Sequence, residues 1–247
     1  MSIESETDWR GLRQVARVVR LTLDALEKHV KVGITTAELD AIAAGVFAEH
    51  GARSAPAMVY GFPGSALISV NDEVVHGVPG SRRVERGDIV KLDVTAEKDG
   101  YMADAARTVV VGTGSDEAQR LRRCAKRAFE RALEVARAGR RVSEIGRVIE
   151  REVRGFGFSV VRGLDGHGIG RTIHEPPSVP NSFNPRQKDV LTEGLVITIE
   201  PIICAGSGRA IESGDGWTIR TADGSLAAHY EHTLVITRDA PTLLTAA

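Results

Sequence analysis

A recurrence constrains this chain more than any other feature. Gly33, Glu38, Leu39 and Gly51 return 106 positions later as Gly139, Glu144, Ile145 and Gly157. Gly87-Asp88-Ile89-Val90-Lys91-Leu92-Asp93 returns 107 positions on as Gly194-Leu195-Val196-Ile197-Thr198-Ile199-Glu200, again a glycine, an apolar run and a closing acid. Two matches at nearly one offset imply an internal duplication. Each half would hold two helices followed by strands that end in a carboxylate, with repeats over roughly 9–110 and 115–237 of a single domain, 1–247. Halves packed about a pseudo-two-fold axis would set Asp93 and Glu200 facing each other near it.

The local patterns agree. Leu12, Val15, Val19, Leu23, Leu26 and Val30 recur at helical spacing from Trp9 to Val30. A second helix starts near Thr35, where Thr35 and Glu38 have capping-box spacing, and ends around Gly51. Leu121, Cys124, Ala125, Ala128, Ala132 and Val135 describe a third after Ser115, and Ser143 and Ile145 open a fourth. Pro176-Pro177-Ser178-Val179-Pro180-Asn181 reads as a surface loop.

Composition excludes whole classes of function. With 32 Lys plus Arg against 33 Asp plus Glu, the chain has no net field to hold a polyanion or an acidic membrane, which argues against nucleic acid as a partner. The acidic start Met1-Ser2-Ile3-Glu4-Ser5-Glu6 lacks the basic flank and apolar core of a secretory signal, and no apolar run approaches a membrane span. Two cysteines, Cys124 and Cys204, are too few for a disulfide framework and too far apart for a redox motif. A reducing cytoplasm is the expected compartment.

The chemistry lies in acids on strands. Ile89–Thr95 alternates, with Val90, Leu92 and Val94 on one side and Lys91 and Asp93 on the other. Asp99-Gly100 is a hairpin turn signal, and the chain returns through Asp104. A two-residue turn makes Asp104 the diagonal neighbour of Asp93 on one face, a four-residue loop its direct partner; a three-residue loop would separate them. Glu200 and Glu231 adjoin apolar β-runs. Any one such acid can pair with a neighbour such as Lys91 or Arg107, or sit on a solvated edge. Four that converge in a buried place need cations.

His167 stands among glycines in Gly166-His167-Gly168-Ile169-Gly170, and His174 follows. Carboxylates with imidazole and no thiolate suit Mn, Fe, Co or Zn. Two such ions could share a bridging water or hydroxide and polarise a carbonyl, so amide hydrolysis is the expected chemistry. The nucleophile elbow, the phosphate loop, a complete dinucleotide fingerprint and the His-Glu-x-x-His helix are all missing. Cys204 has nothing near it in sequence to activate a thiolate.

Ser69-Val70-Asn71-Asp72-Glu73-Val74-Val75-His76-Gly77-Val78-Pro79, Gly166 to His174, Thr198-Ile199-Glu200-Pro201 and Tyr230-Glu231-His232-Thr233 resemble motifs of the methionine aminopeptidases, in order along nearly the whole chain. The resemblance implies an α+β pita-bread fold enclosing a dinuclear centre. It implies Asp93, Asp104, His167, Glu200 and Glu231 as ligands of two divalent ions (Co, Mn, Fe or Zn), with Asp104 and Glu231 bridging. It also implies His76 near the substrate amino end, His174 on the scissile carbonyl, Glu200 as proton shuttle, and Tyr60, Phe62 and Trp217 around the side-chain pocket.

The short interval between Glu200 and Glu231 and the short lead before the first helix resemble the bacterial type I form. Its implied substrate is a nascent polypeptide or peptide with N-terminal methionine and a small second residue, handled by a monomer, with the ribosome a candidate contact. Leu67, Ile173 and Val59 depart from the commoner pattern and bear on the stringency of the pocket. Rival expectations are a proline-specific peptidase of the same fold and a non-catalytic peptide- or ribosome-binding relative.

Overall fold

The computed structural model describes residues 1–246. The first half runs α1 (Glu6–His29), α2 (Thr36–Glu49), β1 (Arg53–Ser54), α3 (Ala55–Tyr60), β2 (Leu67–Val70), β3 (Glu73–Val75), β4 (Ile89–Lys98) and β5 (Tyr101–Val110). The second runs α4 (Asp116–Leu133), α5 (Val142–Gly155), β6 (Ser159–Val160), β7 (Gly166–Gly168), β8 (Glu175–Val179), β9 (Val196–Ile199) and β10 (Ile202–Cys204). It closes with β11 (Ala210–Glu212), β12 (Ile219–Thr221), β13 (Ala227–His229), β14 (Glu231–Val235) and β15 (Thr242–Leu243).

Helix ends follow local chemistry. Thr35 caps α2 in a reciprocal box: its hydroxyl accepts from the Glu38 N–H, and the Glu38 carboxylate accepts from the Thr35 N–H at 2.7 Å. Ser5 and Ser115 cap α1 and α4, their hydroxyls accepting from the Asp8 and Ala118 N–H groups. The short helix α3, with proline in its first turn and Gly61 in the left-handed region at its end, is not marked by the hydrophobic periodicity, which six residues are too few to show.

A nine-stranded antiparallel sheet organises the molecule in the order β1-β4-β5-β14-β9-β7-β8, with β2 on β4 and β15 on β14. Side-chain parity divides its two faces. Val90, Leu92, Val94, Ala103 and Ala105 pack with α1 and α2 in one apolar cluster. Ile197, Ile199 and Leu234 pack with α4 and α5 in another. Each fully buried leucine there, such as Leu12, Leu23 or Leu121, contributes about 2 kcal/mol. The alternate positions of the same strands, Asp93, Thr95, Asp104, Thr198 and Glu231, therefore turn away from the helices. Two three-stranded sheets, β13-β10-β6 and β11-β12-β3, lie beyond the nine-stranded one in the strand pairing.

Asp99 and Gly100 form a two-residue turn with φ of 51° and 79°. Asp93 pairs with Ala106 and Thr95 with Asp104, so the two acids are diagonal neighbours on one face. The segment read as a surface loop at Pro176–Asn181 is different: most of it belongs to β8, which pairs with β7 at the sheet edge, and Asn181 is buried. Prolines disguise this strand in sequence, yet an edge strand needs N–H groups on one side alone and so accommodates them.

Candidate metal centre

Five neighbouring strands each bring one candidate ligand to a common cavity. Asp93 comes from β4, Asp104 from β5, Glu231 from β14, Glu200 from the end of β9, and His167 from β7. This is the strand order of the sheet itself. Pairing across its middle sets Glu231 opposite Ala106, two residues beyond Asp104. Thr233 fixes that junction: its hydroxyl donates to the Asp104 carbonyl at 2.8 Å and accepts from the Asp104 N–H at 2.9 Å.

His167 is placed by close backbone packing. A Cβ on Gly166 would lie 2.7 Å from the Thr198 carbonyl oxygen, and one on Gly168 2.3 Å from that of Pro176. Only glycine on both sides of His167 lets β7 sit between β8 and β9. Thr198 then joins two ligands, its hydroxyl accepting from the His167 N–H at 3.0 Å and donating to Glu200 Oε1 at 2.7 Å. Asn181 holds the backbone beneath, donating to the Glu200 carbonyl at 2.9 Å.

Neither cation offered by the sequence neutralises these acids. Arg107 pairs with Asp24 and Glu27, while Lys91 is fully buried and donates to the Asn71 carbonyl at 2.7 Å. Asp93 Oδ1, Asp104 Oδ1 and Glu231 Oε1 are buried without a hydrogen-bond partner among the described residues. Buried carboxylate oxygens left unpaired in a folded protein mark a missing positive group. Two overlapping sets have donor atoms close enough to share an ion: Asp104, His167 and Glu231, and Asp93, His229 and Glu231. With carboxylates and imidazoles and no thiolate, the donors fit divalent ions of the Mn to Zn series.

Burial dominates the electrostatics. It raises Glu200 to about 8, with the Asp104 charge adding to it, and raises Asp104 to about 6. Asp93 and Glu231 are pushed well above the usual carboxylate range by burial and then by the other acids. Burial, helped by His174, pushes His167 down to about 4. Without cations, then, protons hold the acids together, and a bound ion must displace them. Glu200 keeps its proton up to about pH 8 in the folded metal-free chain, so each ion costs proton release below that value and progressively less as pH rises. His167 is neutral above about pH 4 and adds no pH dependence there. Lys91, lowered by burial to about 7, is common to both states and cancels. The rise in thermal midpoint on adding Mn²⁺ should accordingly be larger at pH 8 than at pH 6, as differential scanning fluorimetry can show. A rise that shrinks with pH would contradict this protonation scheme.

The remaining candidates surround the same cavity. His76, His174, Tyr60, Phe62 and Trp217 all line it, with Leu67, Val75, Ile173 and Ile202 supplying apolar wall. Phe62 and Trp217 meet edge to face, ring centres 5.3 Å apart. Tyr60 Oη and His174 Nδ1 are hydrogen-bonded at 2.6 Å, and the His174 ring stands 4.3 Å from that of His167. His76 follows β3 with φ of 59°, tucked against β2 because Gly77 leaves room beside the Ile68 carbonyl. Val59 is exposed and stands outside the lining, and Cys204 is a buried thiol whose pKa burial raises.

Sequence reasoning passed over His229. It lines the cavity and is buried beside Glu231. Its one sequence signal was an i, i+2 spacing from that acid, which in extended chain puts two side chains on one face.

Residues 10–238 match the model of metallopeptidase family M24. "Methionine aminopeptidase 2" of Bacillus subtilis is 40% identical over 247 residues, 99% of each chain. A methionine aminopeptidase of Clostridium perfringens is 43% identical over 243 residues, 98% of each. The crystal structure of methionine aminopeptidase from Thermotoga maritima superposes with a TM-score of 0.96 at 33% identity, over 100% of both chains. A prolidase from Pyrococcus furiosus shares the fold at a TM-score of 0.80 and 23% identity, 99% of this chain covering 65% of it. No helix of the described residues is long and apolar enough to cross a membrane. With the pita-bread fold, a carboxylate and histidine cluster and relatives matched end to end, the chain belongs to the methionine aminopeptidases of metallopeptidase family M24, metal-dependent hydrolases.

Proposed function

We propose that the chain removes N-terminal methionine from nascent proteins and peptides whose second residue is small, as a short type I enzyme of the cytoplasm built as one catalytic domain. The observation that carries this is the convergence of five ligand-type side chains, from five adjacent strands, beside a cavity lined by His76, His174 and an apolar wall.

Asp93, Asp104, His167, Glu200 and Glu231 would hold two divalent ions, Glu231 standing where it reaches both. When bound, such ions supply Lewis acidity toward the scissile carbonyl and acidify the attacking water. Glu200 takes the proton of that water on a carboxylate oxygen and passes it toward the departing amine. Thr198, by donating to Oε1, leaves Oε2 for this exchange. Tyr60 Oη holds the His174 ring at Nδ1; in the tautomer that accepts there, His174 carries its proton on Nε2 and offers it to the carbonyl oxygen as negative charge develops. His76 meets the substrate near its amino end, and Phe62, Trp217 and Leu67 enclose the methionine side chain.

The test is release of methionine from Met-Ala-Ser by the full chain with Mn²⁺ or Co²⁺, stopped by a chelator and restored by added ion. The same assay on Met-Leu-Ser should be slower by more than tenfold. Failure to release methionine with any divalent ion, from protein with a native circular dichroism spectrum, would overturn the reading in favour of a peptide-binding relative.

A further inference from the structure

His229 ends β13 with 1% of its surface exposed, and neither ring nitrogen has a hydrogen-bond partner among the described residues. Buried imidazoles ordinarily donate from one nitrogen and accept at the other, so two idle nitrogens call for an explanation. The surroundings of the ring are acidic. Nδ1 lies 3.9 Å from Asp93 Oδ2, while Nε2 lies 3.5 Å from Glu231 Oε2 and 3.8 Å from Glu200 Oε2.

These distances are too long for good hydrogen bonds. Donor atoms about 2.1 Å from a shared ion stand about 3 to 4 Å from one another; Nε2 keeps that spacing to Glu231 and Glu200, and one nitrogen of the ring lies within 4.8 Å of donor oxygens of both Asp93 and Glu231. His167, at the other side of the cluster, shows the same relation: its Nε2 lies 3.5 Å from Glu200 Oε1. The donors thus fall into two triads with Glu231 in common, Asp104 with His167 and Asp93 with His229, one imidazole in each.

We infer that His229 is a sixth protein ligand, supplying a nitrogen donor to the ion held by Asp93 and Glu231. The inference rests on the two-ion reading above. It replaces one all-carboxylate position by a mixed oxygen and nitrogen set, so both ions of the pair would sit in sets that favour Fe, Co or Zn over Mn.

The direct test needs no variant. The full chain, labelled with 15N-histidine and loaded with 113Cd²⁺, should give two cadmium resonances, each coupled to the ring nitrogen of a different histidine. In parallel, His229→Ala should weaken the binding of one ion about 10- to 100-fold or more by calorimetry, and leave the other within about threefold. His167→Ala should weaken the other ion. Two cadmium resonances with a single nitrogen coupling, or two unaltered affinities in folded His229→Ala, would overturn the assignment while leaving the two-ion centre standing. A chain that binds one cadmium ion or none would remove the two-ion centre itself, and the sixth ligand with it.

Discussion

Replacing Asp104 with alanine should abolish methionine release, lowering kcat/KM by roughly 10³-fold or more, the loss of at least about 4 kcal/mol of transition-state stabilisation. Asp104 sits on β5 beside the junction with β14, where its Oδ1 is buried and unpartnered. No neighbouring carboxylate can move into its place, because each is fixed to its own strand. The same variant should make the metal-free protein more heat-stable. Burial lifts the Asp104 carboxyl to about 6, so above that pH its charge opposes folding, and that opposition disappears with the side chain. About 1 kcal/mol of relief would raise the thermal midpoint of a domain of this size by 2–4 °C. Activity lost while stability rises is a combination that general damage to the fold cannot produce. Activity within tenfold of the unmodified chain would discard the two-ion mechanism.

His174→Ala should cost about 10²- to 10³-fold in kcat, equivalent to about 2.7–4 kcal/mol, the usual loss when one donor to a developing oxyanion is removed. The His174 ring stands at the cavity beside His167, outside the two donor triads, so ion stoichiometry by calorimetry should be unchanged. Its effect should fall on kcat more than on KM, since the carbonyl oxygen gains charge only as water attacks. Tyr60→Phe should reproduce a smaller part of the same loss, because it removes the 2.6 Å hydrogen bond that holds the His174 ring at Nδ1. A His174→Ala enzyme whose KM rises while kcat holds would reassign the residue to ground-state binding.

Local elements were legible in the sequence because their determinants are local. The box at Thr35 and Glu38, the cap at Ser115 and the apolar stripes of α1 and α4 act over three or four residues. The Asp99-Gly100 turn fixed the β4–β5 register by the same kind of short-range rule. What stayed hidden depends on partners far along the chain. Nothing in Glu175–Val179 announces a strand, because β8 is held by β7 and its prolines are tolerated only at an edge. Nothing near Glu231 names Ala106 as its partner across β5. His229 was passed over because a lone histidine after two alanines carries no motif, and its place among three acids appears only when β13 and β14 are set against β4 and β9. Strand alternation sets Lys91 on the side of Asp93 and offers it as a partner for an acid there; the structure buries it and gives it to a backbone carbonyl instead.

The two-residue reversal at Asp99-Gly100 is remote in sequence from any reacting atom, yet parity makes it a governor of the chemistry. Both of its residues take left-handed backbone angles, so their identities can drift among glycine, asparagine and aspartate. Its length cannot drift by one. A single added residue that re-registered β5 would turn Asp104 toward the helices and Ala105 toward the ions. Descendants of this chain are free to rewrite the letters of that hairpin tip but are held to their number.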